Sequence, residues 1–119
     1  MKIYVTRDSV SAADDLHAPH LLETKVSNDS VEAAITHVLS LGYLPRISGG
    51  RATWSVASGQ FIAIVAQEWE KPEFINQVAI KLKGCEVQDG KLRLHYNYHA
   101  QEDPSCVMRV LRGIRLTVI

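Results

Sequence analysis

The sequence predicts an α+β domain, a mostly antiparallel sheet with one principal helix packed against it. Three observations carry that prediction. Residues Lys2–Arg7 and Lys91–His99 alternate with the two-residue period of half-buried strands. Residues 29–41 place apolar side chains at helical spacing between a start and a stop signal. Residues 51–67 hold two strand-like runs joined by Ser58-Gly59.

The elements follow in order. In the first strand Ile3 and Val5 share one face, and Tyr4 and Thr6 the other. Residues 8–19 are polar, rich in small side chains and without period, so they read as a long loop, the kind of segment that often carries function. His20–Val26 reads as a second strand. The helix is opened by Asp29 as cap with Glu32 in capping-box position, and Val31, Ala34, Ile35, Val38 and Leu41 point inward. Gly42 supplies the left-handed stop and Pro45 prevents resumption.

Ser48-Gly49-Gly50 is a turn into the hairpin Arg51–Ala57 and Gln60–Gln67. The second arm is apolar on both faces, the pattern of a strand covered from two sides. Pro72–Lys83 fits a helix or a strand. A short helical turn near Pro72 and a strand from Gln77 is the preferred reading, because Asp89-Gly90 is a hairpin signal and the arm Lys91–His99 needs a partner. Asp103-Pro104 opens a short second helix with Val107, Val110 and Leu111 inward and Gly113 at its end. Residues 114–119 then read as a closing strand. The order β-β-α-β-β through residue 67 resembles the β-grasp, or ubiquitin-like, arrangement.

A chain of 119 residues fits one domain, residues 1–119, with a core that needs no disulfide or metal staple. Hydrophobic residues make up 46% and charged residues 22%, which argues against disorder. Thirteen basic side chains balance thirteen acidic ones, so the positive field of a nucleic-acid binder is missing and no nucleic-acid partner is expected. The longest apolar run, Phe61–Ala66, is too short to span a bilayer, and the N-terminus lacks a signal-peptide pattern. A cytoplasmic location, no membrane and two reduced, mostly buried thiols, Cys85 and Cys106, are the expectations.

Several constellations are capable of chemistry. Asp8, Asp14, Asp15, His17 and His20 offer carboxylate and imidazole donors within one loop, the mixture that divalent metals accept. Their spacing matches neither a calcium loop nor a zinc signature, and a solvated loop with turn-capping Asp residues is the plainer reading. Ser48-Gly49-Gly50-Arg51 leads into a strand and lacks the helix of a phosphate loop. His95, Asn97 and His99 line one strand face, where histidines can serve as acid and base or contact a partner. Trp54 shares a face with Ala52 and Val56 and belongs in the core. Trp69, between Glu68 and Glu70, has the composition of an interface anchor, although a half-buried lid on the core also fits.

Residues 2–10, 14–20, 48–50 and 52–54, including Asp14-Asp15, Ala18-Pro19-His20 and Ala52-Thr53-Trp54, resemble segments of small bacterial proteins of unassigned activity. In size and neutrality the chain is similar to the immunity partners of bacterial polymorphic toxins. Neither resemblance supplies catalytic residues. The leading expectation is a non-enzymatic protein-interaction module, an immunity or inhibitor protein among them, with a toxin-like partner and Trp69, His95, Asn97 and His99 as contact residues. It expects no cofactor. The alternatives are a metal- or ligand-binding protein built on the Asp8–His20 loop, and a subunit that self-associates through a sheet edge.

Overall fold

The computed structural model describes residues 1–27, 29–75 and 84–118, with residues 114–118 described by their backbone alone. In chain order the elements are strand β1 (Lys2–Arg7), a 3₁₀ turn (Asp14–His17), β2 (Leu22–Lys25), helix α1 (Val31–Ser40), β3 (Thr53–Ala57), β4 (Phe61–Ala66), β5 (Glu73–Phe74), β6 (Val87–Gln88), β7 (Lys91–Tyr98) and helix α2 (Pro104–Val118). The protein is α+β. Among the described residues seven strands form one mixed, mainly antiparallel sheet in the order β2-β1-β7-β3-β4-β5, with β6 paired to β7. The β1–β7 pair is parallel, which sets the first strand beside the last.

Cross-strand partners share a face, so the registers assign every strand residue to a side. Ile3 and Val5 of β1 lie opposite Leu92 and Leu94 of β7, and Trp54 and Val56 of β3 opposite Tyr98 and Tyr96. These residues form one core with Val31, Ala34, Ile35 and Val38 of α1. On the other face Ile64 of β4 packs with Ile75 and with Val107, Met108 and Leu111 of α2. The two helices therefore cover opposite faces. That arrangement explains why β4 is apolar throughout, with every residue after Phe61 buried.

Local details depart from the sequence reading where capping and burial compete. Ser30, not Asp29, is the N-cap of α1; its Oγ accepts from the Ala33 amide at 2.9 Å. Starting one residue later makes Val31 the first member of the buried stripe. Asp29 instead lies 3.9 Å from the N-terminal ammonium. Leu41, expected inward, follows the last helical turn and is 49% exposed, and Gly42 takes the left-handed conformation at φ 68°. β2 is shorter than expected because His20 adopts a positive φ of 60° and ends the loop in a turn.

The C-terminal third differs more. Asp89 and Gly90 both have positive φ, as a two-residue hairpin turn requires, yet the hairpin arm β6 has two residues. The long arm β7 finds its main partners in β1 and β3 instead. The strand expected from Gln77 lies outside the described residues. Residues 114–118 continue α2 and do not form a closing strand. Gly113 does not stop the helix: α2 runs through it to Val118, at the roughly 1 kcal/mol that a glycine costs inside a helix. Val110 is exposed and Met108 takes the inward place assigned to it, because α2 turns its 107-108-111 stripe toward β4. Among the described residues no helix is long and apolar enough to cross a membrane.

Candidate functional site

Two features meet at the Arg7 end of β1, an ordered loop and a polar sheet face. The loop is built around Arg7, a strand residue turned into the core with 9% exposure. A guanidinium out of water needs a carboxylate, and residues 8–20 supply one. Asp14 receives both Arg7 Nη groups, at 2.7 and 3.0 Å, and accepts from the Val10 amide at 2.9 Å. The Arg7 hydrogen bonds, then that of Val10, hold the Asp14 carboxyl well below the usual carboxylate range.

Further bonds fasten the loop to the domain. Ser9 has one hydroxyl proton and gives it to Asp15 at 3.0 Å, so at 3.0 Å from His20 Nε2 it accepts. The Arg7 amide donates to the Pro19 carbonyl across a cis Ala18–Pro19 bond. Tyr43 donates its hydroxyl to the His20 carbonyl at 2.6 Å, and burial pushes that phenol up to about 12. Beside exposed polar residues such as Asp15 and His17 the loop also presents apolar ones: Leu16, on the 3₁₀ turn, is 83% exposed and Leu21 51%.

The five candidate metal ligands are mostly taken up by other partners, although His20 Nε2 lies 3.6 Å from an Asp14 oxygen. Asp14 binds Arg7, Asp15 binds Ser9, His20 bonds Ser9, and His17 is an exposed member of the 3₁₀ turn. Asp8 leaves the group altogether. One of its oxygens accepts from the Tyr98 amide at 2.9 Å, ending the parallel ladder, and the other lies 2.9 Å from His95 Nε2. Among the described residues no three His, Cys, Asp or Glu side chains are placed to hold a metal ion.

His95, Asn97 and His99 stand in a row on the face opposite α1, each half-exposed. Asp8 can only accept, so His95 carries its proton on Nε2, and in the neutral ring Nδ1 accepts from Thr6 at 2.7 Å. Ser55 of β3 shares a hydrogen bond with His99 Nε2 at 2.7 Å. The carboxylate–imidazole–hydroxyl order at His95 is that of a base-activated nucleophile. The clefts of the sheet edge, of α2 and of α1 are lined by other residues. Thr6 and Ser55 have no signal in the sequence, since an alternating strand gives every polar residue the same standing.

His99 yields a testable titration. Burial lowers its pKa, outweighing the opposing charges of Asp8 and Glu102. A histidine favoured neutral in the folded state stabilises the fold fully above pH about 6.5, and that contribution is lost as pH falls below it. The His99 ring resonances are expected to titrate with a midpoint under 6.5. A midpoint at or above 6.5 contradicts the burial argument.

The remaining candidates resolve plainly. Trp69 packs, half-buried, against the α2 core, as a lid does. Trp54 is in the main core at 1% exposure. Among the described residues neither cysteine forms a disulfide; Cys85 is half-buried with its thiol pushed up by burial, whereas Cys106, expected buried, is exposed near the start of α2. Ser48-Gly49-Gly50 is a turn held by Gln101, whose amide donates to the Ser48 carbonyl at 3.3 Å. No family model matches the chain, and neither a curated protein nor a solved structure matches it.

Proposed function

We propose that this protein is a protein-interaction module whose primary contact is the loop between Arg7 and Leu22. One observation carries the reading. The loop holds its shape with a part-buried Arg7–Asp14 pair and a set of side-chain hydrogen bonds, and what that shape displays is Leu16 at 83% exposure with Leu21 beside the loop's end. Exposed apolar side chains on a preorganised loop give a partner apolar surface to cover, and little ordering entropy remains to be lost on binding. An immunity or inhibitor protein, which masks a partner by surface contact alone, is the form of module that fits a chain of this size.

The test is affinity capture with the wild-type chain and with Leu16→Asp combined with Leu21→Asp, after circular dichroism shows equal folding. A stoichiometric protein partner held by the wild type and lost by the double variant supports the reading. A partner retained equally by both, or turnover of a small substrate with no macromolecular partner, overturns it.

A further inference from the structure

The sheet face opposite α1 is covered by α2 over β4, where Ile64 meets Val107, Met108 and Leu111. Across β2, β1 and β7 the same face carries charged and polar side chains that are exposed or half-exposed. The registers arrange them in rows. Lys2 lies opposite Lys25 of β2 on one side and opposite Lys91 of β7 on the other. Neighbouring strands are about 4.8 Å apart, so three lysine stems rise side by side within roughly 10 Å. Like charges set directly opposite one another destabilise a sheet.

The next row holds Glu23, Tyr4 and Arg93, with the Arg93 guanidinium 4.4 Å over the Tyr4 ring. Glu23 accepts from Lys91 at 3.3 Å. On the β6 side Gln88 stands opposite Lys91, and the Glu86 carboxylate there accepts from Gln88 at 3.1 Å. A shallow cleft of about 290 Å³ runs between Lys2, Ile3, Glu23, Thr24, Lys25 and Lys91. In a chain with 13 basic and 13 acidic residues this row is a local concentration of positive charge, offset at Lys91 by Glu23 and left open at Lys2 and Lys25.

We propose that this strip docks an acidic, extended segment of a protein partner, which crosses the three strands with its carboxylates between Lys25, Lys2 and Lys91. Charge complementarity selects the occupant. A nucleic acid is the weaker fit for two reasons. The neutral chain lacks the excess positive charge that phosphate binding draws on, and the Tyr4 face that would stack a base is occupied by Arg93. The proposal rests on the interaction reading above but uses other residues, at the opposite end of β1 from the loop. The partner it describes has an apolar contact at one end of this strand and an acidic one at the other.

The experiment is an NMR titration of the isotope-labelled full chain with a short oligo-glutamate peptide, and separately with oligodeoxythymidylate. Oligo-glutamate is expected to shift the amides of Lys2, Lys25 and Lys91 while leaving Leu16 and Leu21 unmoved. The shifts should shrink as salt is raised to about 0.15 M. Lys2→Glu with Lys25→Glu should weaken binding about tenfold or more, and Lys2→Arg with Lys25→Arg should preserve it. No shift with oligo-glutamate at low salt overturns the proposal and leaves the lysines as guards of the β2 edge. Shifts with oligodeoxythymidylate alone overturn it in favour of a nucleic acid. Either failure leaves the Leu16 and Leu21 capture result untouched, so the two readings stand or fall separately.

Discussion

Trp54→Ala is expected to lower the melting temperature by roughly 10–25 °C, the largest single-residue effect in this fold. The side chain is 1% exposed and tilts against Tyr98 with 4.7 Å between ring centroids. It also lies opposite Val65 of β4 and Tyr98 of β7, so it ties together three adjacent strands. Truncating a buried tryptophan costs about 3–5 kcal/mol through lost burial and the cavity left behind. Domains of this kind hold about 5–15 kcal/mol in total, so a sizeable share of the stability goes with one residue. Thermal unfolding followed by circular dichroism gives the shift. Trp69→Ala is the comparison: it packs half-buried on the smaller α2 core, and its loss is expected to lower the melting temperature less. A Trp54→Ala shift under about 3 °C, or one smaller than that of Trp69→Ala, contradicts this account of the core.

Asp14→Ala is expected to release the loop while leaving the sheet intact. The substitution strips the buried Arg7 guanidinium of the carboxylate that neutralises it, and Arg7 Nε already lies buried without a partner among the described residues. A buried charge left unpaired pulls toward water, and the segment built over it must open. Hydrogen exchange at the Val10 amide, which donates to Asp14, should accelerate by about tenfold or more, with exchange in β3 and β4 unchanged. Partner capture should fall along with it. Acid should reproduce the effect without mutation. The Asp14 pKa is depressed by folding, so its contribution is present above the ordinary carboxylate value and is lost only as pH falls well below that value. Unchanged Val10 exchange in Asp14→Ala would show that the ion pair does not hold the loop.

The two predictions differ in how far the sequence foretold them. Trp54 was legible as a core residue because Ala52, Trp54 and Val56 alternate with Arg51, Thr53 and Ser55. The Arg7–Asp14 latch was not. Asp14 reads as one of several acidic loop residues, and a charged residue closing an alternating strand reads as solvent-facing. Its odd-numbered place beside Ile3 and Val5 was the signal that it points inward. The metal reading of Asp8, Asp14, Asp15, His17 and His20 grouped residues by nearness in the chain. Folding sorted them by side: Asp8 to the face of His95, Asp14 to Arg7. The same limit explains α2. A glycine at 113 is a stop signal in isolation, but a helix already packed on β4 runs through it.

By itself the sequence determined the fold class, the extent of β1, the α1 stripe from Val31 to Val38, the β3–β4 hairpin and the left-handed stop at Gly42. Each of these is written in residues within a few positions of one another, where period and backbone preference act. Only the tertiary structure decided that β1 lies parallel to β7. That pairing brings Thr6 and Asp8 to His95, sets Lys2 between Lys25 and Lys91, and leaves the strip on the open side of the sheet. Strand order and register answer to which arrangement buries both apolar faces at once. That choice belongs to the whole chain, and no local window contains it.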